Sequence, residues 1–233
     1  MATTITGTTI DVGTNVIVTD AAGKVGIGTA SPARALEVYS TQPAIKLNNG
    51  TNAFTIGTGA FVDGSNSLVI YDEGVGERMR IDAAGIVTKP LQPAFLAYPT
   101  ARQQNIAAST STIVLDAERF DQGGDFNTGT STFTAPVTGK YQFNLNVRIG
   151  AMLDTGAAYY RTYITTSNQT YYPAIIDPNF TADLNYYHLC FSVLADMDAG
   201  DTAYAQVQQS GGGVKTDIDS SPENTNFSGY LVA

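Results

Sequence analysis

Between Phe133 and Ile149 the chain alternates apolar and polar residues without a break: Tyr141, Phe143, Leu145, Val147 and Ile149 against Lys140, Gln142, Asn144, Asn146 and Arg148. Successive strand residues point to opposite sides, so this pattern predicts a long, half-buried antiparallel strand with one apolar row. Pro136 and Gly139 bracket a turn just before it, which assigns Phe133 and Ala135 to an earlier strand. No window repeats apolar residues at i, i+3, i+4 and i+7 for long enough to form an amphipathic helix.

The same reading extends to both sides. Phe95, Ile113, Val114, Leu115 and Phe120 mark early strands, and Tyr159 to Thr165, Tyr186 to Leu194, Thr202 to Gln208 and Asn226 to Val232 mark later ones. Turn signals separate them at Asp121 to Gly124, Thr166 to Gln169, Asp198 to Asp201 and Gly211 to Gly213. Many short strands with regular turns predict a sandwich or jelly roll, so the fold class is all-β. Phe133, Tyr141, Phe143, Leu145, Phe227, Tyr230 and Leu231 are the expected core or subunit-packing residues.

Upstream, Thr4 to Thr19 reads as short strands or an extended arm, too poor in large apolar groups to hold a core alone. Ile81 to Val87 echoes Thr19 to Val25 in an Asp-Ala-Ala-Gly turn flanked by β-formers, which predicts a repeated hairpin. Gly26, Gly28 and Ser31 invite a phosphate-loop reading. The third Gly is absent, however, and Pro32 stands where a helix should begin, so close backbone packing is the better explanation. Phe54, Ile56, Phe61, Leu68, Val69 and Ile70 fit strands whose apolar rows meet partners across chains. Pro90 and Pro93 interrupt any ladder, dividing an N-terminal region, 1–90, from a C-terminal one, 91–233.

Eleven of the thirteen tyrosines lie from Tyr98 onward, and the C-terminal region carries thirteen Asp or Glu against six Lys or Arg. The net charge of −9 argues against nucleic-acid binding through basic patches. The apolar runs are too short to insert in a membrane, and the Met1 start has no basic, apolar leader, so synthesis in a cytoplasm without a signal peptide is expected. The one cysteine, Cys190, excludes an intrachain disulfide.

Two resemblances follow from these residues. Gly23 to Pro32, Leu36 to Val38 and Glu77 to Gly85 look like the repeats of bacteriophage fibre and tail-spike shafts, over about residues 18 to 90. That resemblance implies a trimeric, β-rich anchor and stalk. Pro93-Ala94-Phe95, Phe120, Phe126, the Phe133 to Phe143 pattern, Ala199 to Asp201 and Phe227-x-Gly229-x-Leu231 resemble the complement globular-head and tumour-necrosis-factor superfamily, over about residues 93 to 233. This second resemblance implies a jelly-roll knob that packs as a homotrimer.

Candidate chemistry is sparse. His188 and Cys190, at i and i+2 on one strand, point the same way about 7 Å apart, too far for a direct hydrogen bond. Asp196, Asp198 and Asp201 carry oxygen ligands of the kind calcium takes, but their spacing is not an EF-hand loop and Asp is itself a turn residue, so a plain hairpin is expected. No catalytic constellation, metal set or cofactor is assigned. The tyrosines suit subunit packing or contacts with sugars and proteins. Loops Asn168 to Tyr172 and Gly211 to Asp219 are the expected receptor contacts, with Asn168, Tyr171, Tyr172 and Lys215 as the candidate residues. The combined expectation is a structural protein of the virion surface. It joins other virion proteins through its N-terminal region and displays a knob to host polysaccharide or protein. The alternative is a capsid cement that stabilises the shell without recognising a host.

Overall fold

The structure, a computed structural model, describes residues 9–12, 15–19, 24–152, 156–182, 184–213 and 216–233. The chain divides into two compact units, Met1–Pro90 and Leu91–Ala233.

In the first unit, β1 (Thr9–Val12), β2 (Asn15–Thr19), β3 (Val25–Ile27) and β4 (Leu36–Val38) form one sheet in that order. Residues 4–8 of the expected arm lie outside the described residues. The β3/β4 pair is parallel, and the connection turns back close to itself. A methyl on Gly26 would strike the Thr29 carbonyl, and one on Gly28 (φ +77°) the Tyr39 carbonyl. These glycines therefore serve close backbone approach, and the element that follows them is a strand rather than a phosphate-binding helix.

A second, antiparallel sheet runs β5 (Ala44–Asn48), β6 (Ala53–Thr58), β7 (Leu68–Asp72), β8 (Gly76–Ile81) and β9 (Val87–Thr88). Its register gives each strand two rows. One row (Thr55, Gly57, Val69) is buried, and the 59–67 segment joins β6 to β7. Arg80 holds that segment, donating to the Ser65 and Ser67 hydroxyls at 2.7 Å and pairing with Asp63 at 3.0 Å and with Glu77. Phe61 lies here in a 3-10 turn (Gly59–Phe61), not in the strand expected for it, and packs edge-on to Tyr71. The two Asp-Ala-Ala-Gly copies pair alike, Thr19 with Val25 and Ile81 with Val87. In the second copy the Asp82 carboxylate accepts the Ala84 and Ile86 amides, and Gly85 adopts φ +85°. Residues 20–23 of the first copy's turn lie outside the described residues.

The second unit comprises β10 (Ala94–Tyr98), β11 (Thr110–Thr112), β12 (Ala117–Gln122), β13 (Phe126–Asn127), β14 (Thr132–Thr134), β15 (Gly139–Met152), β16 (Ala157–Thr166), β17 (Thr170–Tyr171), β18 (Ile175–Ile176), β19 (Leu184–Met197), β20 (Thr202–Gly211), β21 (Asp217–Ile218) and β22 (Asn226–Leu231). One sheet has the order β12-β10-β22-β15-β19, with β21 beside the end of β15. The other has β13-β14-β20-β16-β17, with β11 beside β20 and β18 beside β16. The neighbours in each are antiparallel and, apart from the β13/β14 and β16/β17 hairpins, non-sequential, which makes a jelly roll rather than a meander. The strand read from Tyr141 to Ile149 is β15, fourteen residues long. It pairs with β19 on one side and β22 and β21 on the other, and its apolar row is fully buried.

The core is aromatic. Phe95 of the first sheet stacks on Phe133 and Phe126 of the second, with ring centroids 4.9 Å apart in both pairs, and Phe143 and Phe227 close the cluster. Buried tyrosine hydroxyls find partners: Tyr141 donates to the Val137 carbonyl at 2.8 Å, and Tyr160 shares a 2.9 Å hydrogen bond with Thr216. Ile113 to Leu115 lie just past β11, not within a strand as expected. Ile113 and Leu115 are nonetheless fully buried, because an extended connection also sends alternate side chains inward.

Candidate functional site

A two-layer sandwich has two outer faces, and the register assigns each. On the first sheet, Leu194 of β19, Gln142 of β15, Tyr230 of β22 and Ala94 of β10 stand abreast. Next to them run Ser192, Asn144, Ser228, Leu96 and Phe120. Leu194, Tyr230 and Phe120 are about half exposed, so this face carries apolar groups over a central amide ladder.

The other outer face is of different chemistry. Tyr159, Arg161, Tyr163 and Thr165 of β16 stand opposite Ser210, Gln208, Gln206 and Tyr204 of β20. The Arg161 guanidinium lies 4.8 Å from the Tyr159 ring centroid, 4.9 Å from that of Tyr172 and 5.9 Å from that of Tyr163. Its Nε is buried without a hydrogen-bond partner, and no carboxylate among the described residues pairs with it. Tyr163 donates its hydroxyl to Gln208 Oε1, and Thr165 donates to Gln206 Oε1 at 2.9 Å. Both amide oxygens are thereby occupied, and both amide nitrogens remain as donors on the face. The alternation Tyr159-x-Arg161-x-Tyr163 was the available sequence signal for this cluster, because a strand period places all three on one face.

The expected core residues separate into two groups. Phe133, Tyr141, Phe143, Leu145 and Phe227 are buried together, and Leu231 is partly buried against them. Tyr230 is not in the core: the β22 period turns it to the outer face of the first sheet.

The expected receptor contacts partly converge. Tyr171 and Tyr172 line a cleft of about 400 Å³ with Ser192 and Val193, beside the edge strands β17 and β19 of the two sheets. Asn168 and Tyr171 line an adjoining one of about 230 Å³. Tyr172 is exposed, whereas Tyr171 is half-buried and packs against the core, so its ring is not a free contact. The Asn168 amide is engaged, donating to Asp201 Oδ2 at 2.6 Å. Lys215 lies outside the described residues. The loop Gly211 to Asp219 is not an adaptable connection over its second half. Thr216 to Asp219 are buried, because Asp219 accepts from Arg148 Nε at 2.6 Å and pairs with Arg102 at 3.2 Å, while Asp217 pairs with Arg102 at 2.8 Å.

His188 and Cys190 both face outward and both meet the side-chain oxygen Oδ1 of Asn146, at 3.2 Å from His188 Nδ1 and 2.8 Å from Cys190 Sγ, rather than each other. Burial pushes the Cys190 thiol above its ordinary pKa, partly offset by a backbone hydrogen bond from Val147, which disfavours the thiolate a nucleophile needs. Asp196 pairs with Lys140 at 2.5 Å, and Asp201 accepts the Asp198 amide at 2.8 Å, the pattern of a hairpin turn. Among the described residues no group of three or more His, Cys, Asp or Glu side chains is arranged to hold a metal.

The fold is a two-sheet antiparallel jelly-roll domain. A family model for the C1q domain matches residues 94–232, and the chain belongs to that family. Domains of this C1q and tumour-necrosis-factor-like class bind ligands or build structure without catalysis, and typically form homotrimers. Among solved structures, the globular domain of zebrafish complement 1qA is similar at 18% identity, covering 61% of this chain and 98% of that one, with a TM-score of 0.45. Murine APRIL is similar at 10% identity, covering 60% and 99%, with a TM-score of 0.44. No curated protein matches the chain.

Proposed function

We propose that this protein is a homotrimeric fibre or decoration protein of a bacteriophage virion, anchored through residues 1–90 and presenting its C1q domain to the host surface. The observation that carries the trimeric anchor is the second face of the β5–β9 sheet. Ile45, Leu47, Phe54, Ile56, Leu68, Ile70, Met79, Ile81 and Val87 all fall on that face by register, and none of them is buried in the single chain. An apolar face of this extent is unfavourable in water and is satisfied when copies of the chain close over it. The outer face carrying Leu194, Tyr230 and Phe120 serves the C1q domain in the same way, in keeping with the trimeric habit of the family. The virion setting is supported by the repeated Asp-Ala-Ala-Gly hairpins and their resemblance to fibre shafts.

Presenting three copies per trimer, and many trimers per particle, allows individually weak sites to hold a surface together. Light scattering on the purified chain should give three times the 24.6 kDa protomer mass. Labelling of particles with antibody to the C1q domain should place it on the particle exterior, and isolated trimers should compete with adsorption. A stable monomer overturns the trimer. Particles that lack the protein, adsorb normally and lose heat resistance convert the reading to capsid cement.

A further inference from the structure

We infer that the outer face of the β13-β14-β20-β16-β17 sheet is a binding site for an acidic glycan, a carboxylated sugar residue seated at Arg161 between Tyr159, Tyr163 and Tyr172. The inference names the ligand class for the adhesive reading above and rests on that reading for its biological setting. It begins with charge. In a chain of net charge −9, Arg161 is a cation whose described contacts are aromatic rings alone. Arg80, Arg102, Arg119 and Arg148, by contrast, each pair with a carboxylate. The rings hold the planar guanidinium in place, so a ligand gains its hydrogen bonds without first ordering a flexible side chain.

The neighbours make the face a donor surface. Gln208, directly across from Arg161, and Gln206, directly across from Tyr163, have their amide oxygens engaged by the Tyr163 and Thr165 hydroxyls. Two amide nitrogens and the guanidinium therefore face the same side. The register places Thr110 and Thr112 beyond the glutamines, the exposed Ile175 on the other side of Arg161, and no Asp or Glu on this face between Tyr159 and Thr165 or between Tyr204 and Ser210. A guanidinium and two amide donors with no carboxylate on either strand beside them suit an anion, and the fork of a guanidinium suits the two oxygens of a carboxylate. The exposed Tyr172 ring and the threonine hydroxyls add an amphipathic rim of the kind a sugar ring packs on. Leu194 and Tyr230, through which protomers are proposed to associate, lie on the opposite layer of the sandwich from Arg161.

The test uses the purified full chain, titrated by calorimetry with size-defined oligogalacturonate, oligoalginate and hyaluronan fragments. Carboxyl-reduced, neutral forms of the same oligosaccharides and inorganic sulfate are the controls. Saturable binding to at least one carboxylated glycan is expected, with the reduced form and Arg161→Gln each weakened at least tenfold. Gln208→Glu keeps an acceptor for Tyr163 while placing a negative charge opposite Arg161, and is expected to abolish binding even if Arg161→Gln fails to fold. The inference is overturned by absence of saturable binding to all three glycans, by equal affinity for the reduced forms, by a response matched with sulfate alone, or by unchanged affinity in a folded Gln208→Glu protein. Particle adsorption reports separately on adhesion: a glycan affinity measured on the isolated chain stands whatever particles lacking the protein do.

Discussion

Gly229 stands directly between Phe143 and Phe95 on neighbouring strands, and a methyl group there would come within 2.5 Å of Phe143 Cδ1 and 2.9 Å of Phe95 Cε1. The two rings thus occupy the space a side chain would take. Gly229→Ala is expected to cost about 1–3 kcal/mol by overpacking, and Phe143→Ala about 3–5 kcal/mol by leaving a cavity. Urea denaturation measures both. Adding Phe143→Leu to Gly229→Ala should recover part of the loss, since neighbours that share space are coupled. Simple additivity would show that the two do not compete for that space.

That glycine illustrates what the sequence made legible. The apolar row from Tyr141 to Ile149 was readable because a period of two has one interpretation, and Phe227-x-Gly229-x-Leu231 carried the family resemblance. Whether Tyr230 faces the core or a partner subunit is not legible in composition, because an aromatic residue beside core positions looks like core until the strand phase is known. The Gly211 to Asp219 loop looked adaptable by composition, and only the fold shows two arginines from distant strands and loops pinning its aspartates. The Arg161 cluster is hidden for the same reason: its tyrosine neighbours are visible in sequence, but Gln206 and Gln208 come from a strand more than forty positions on.

Asp219 ties the chain at three places, since its carboxylate meets Arg148 of β15 and Arg102 of the 99–109 segment and sits next to β21. Removing it leaves Arg148 without its carboxylate and Arg102 with Asp217 alone. Because both arginines are partly exposed, Asp219→Ala is expected to cost about 2 kcal/mol, less than a fully buried pair. Hydrogen exchange should show faster opening of 216–220 in the variant. Unchanged protection there would mean that backbone pairing alone holds the loop.

The apolar face of the β5–β9 sheet gives a prediction on assembly. Ile56 stands abreast of Ile45 and Ile70 at its centre, about two-fifths exposed. Ile56→Lys places a charge where copies are proposed to meet and should lower the mass of the assembly at micromolar concentration. Lys46→Ala, on the opposite row, should leave it unchanged. Sedimentation velocity distinguishes them, and a trimer that survives Ile56→Lys intact removes this face from the interface.

Two carboxylates on the C1q domain should respond to pH with opposite sign. The Thr100 hydroxyl, at 2.6 Å, and the Thr100 amide, at 2.7 Å, donate to Asp116 and hold its carboxyl below the ordinary range. Its folded pKa is thus lower than its unfolded one. The stability it contributes is present above the unfolded value and is lost as pH falls through the folded one. Asp125 is the reverse case. Burial first, and the negative charge of Asp121 second, push its carboxyl up, and its Oδ2 has no hydrogen-bond partner. The folded state therefore holds that proton to a higher pH than the unfolded state does. Stability rises as pH falls through the raised folded value and is complete at the unfolded one. Carbon-13 titration of the side-chain carboxyls should find Asp125 midway at a higher pH than Asp116. Thr100→Val should move Asp116 back toward the ordinary value without moving Asp125. Asp125→Asn should reduce the gain in melting temperature on mild acidification, to which Glu118, also raised by burial, contributes with the same sign, while leaving the loss at lower pH. A Thr100→Val protein in which Asp116 titrates unchanged would show that the hydroxyl does not set its pKa.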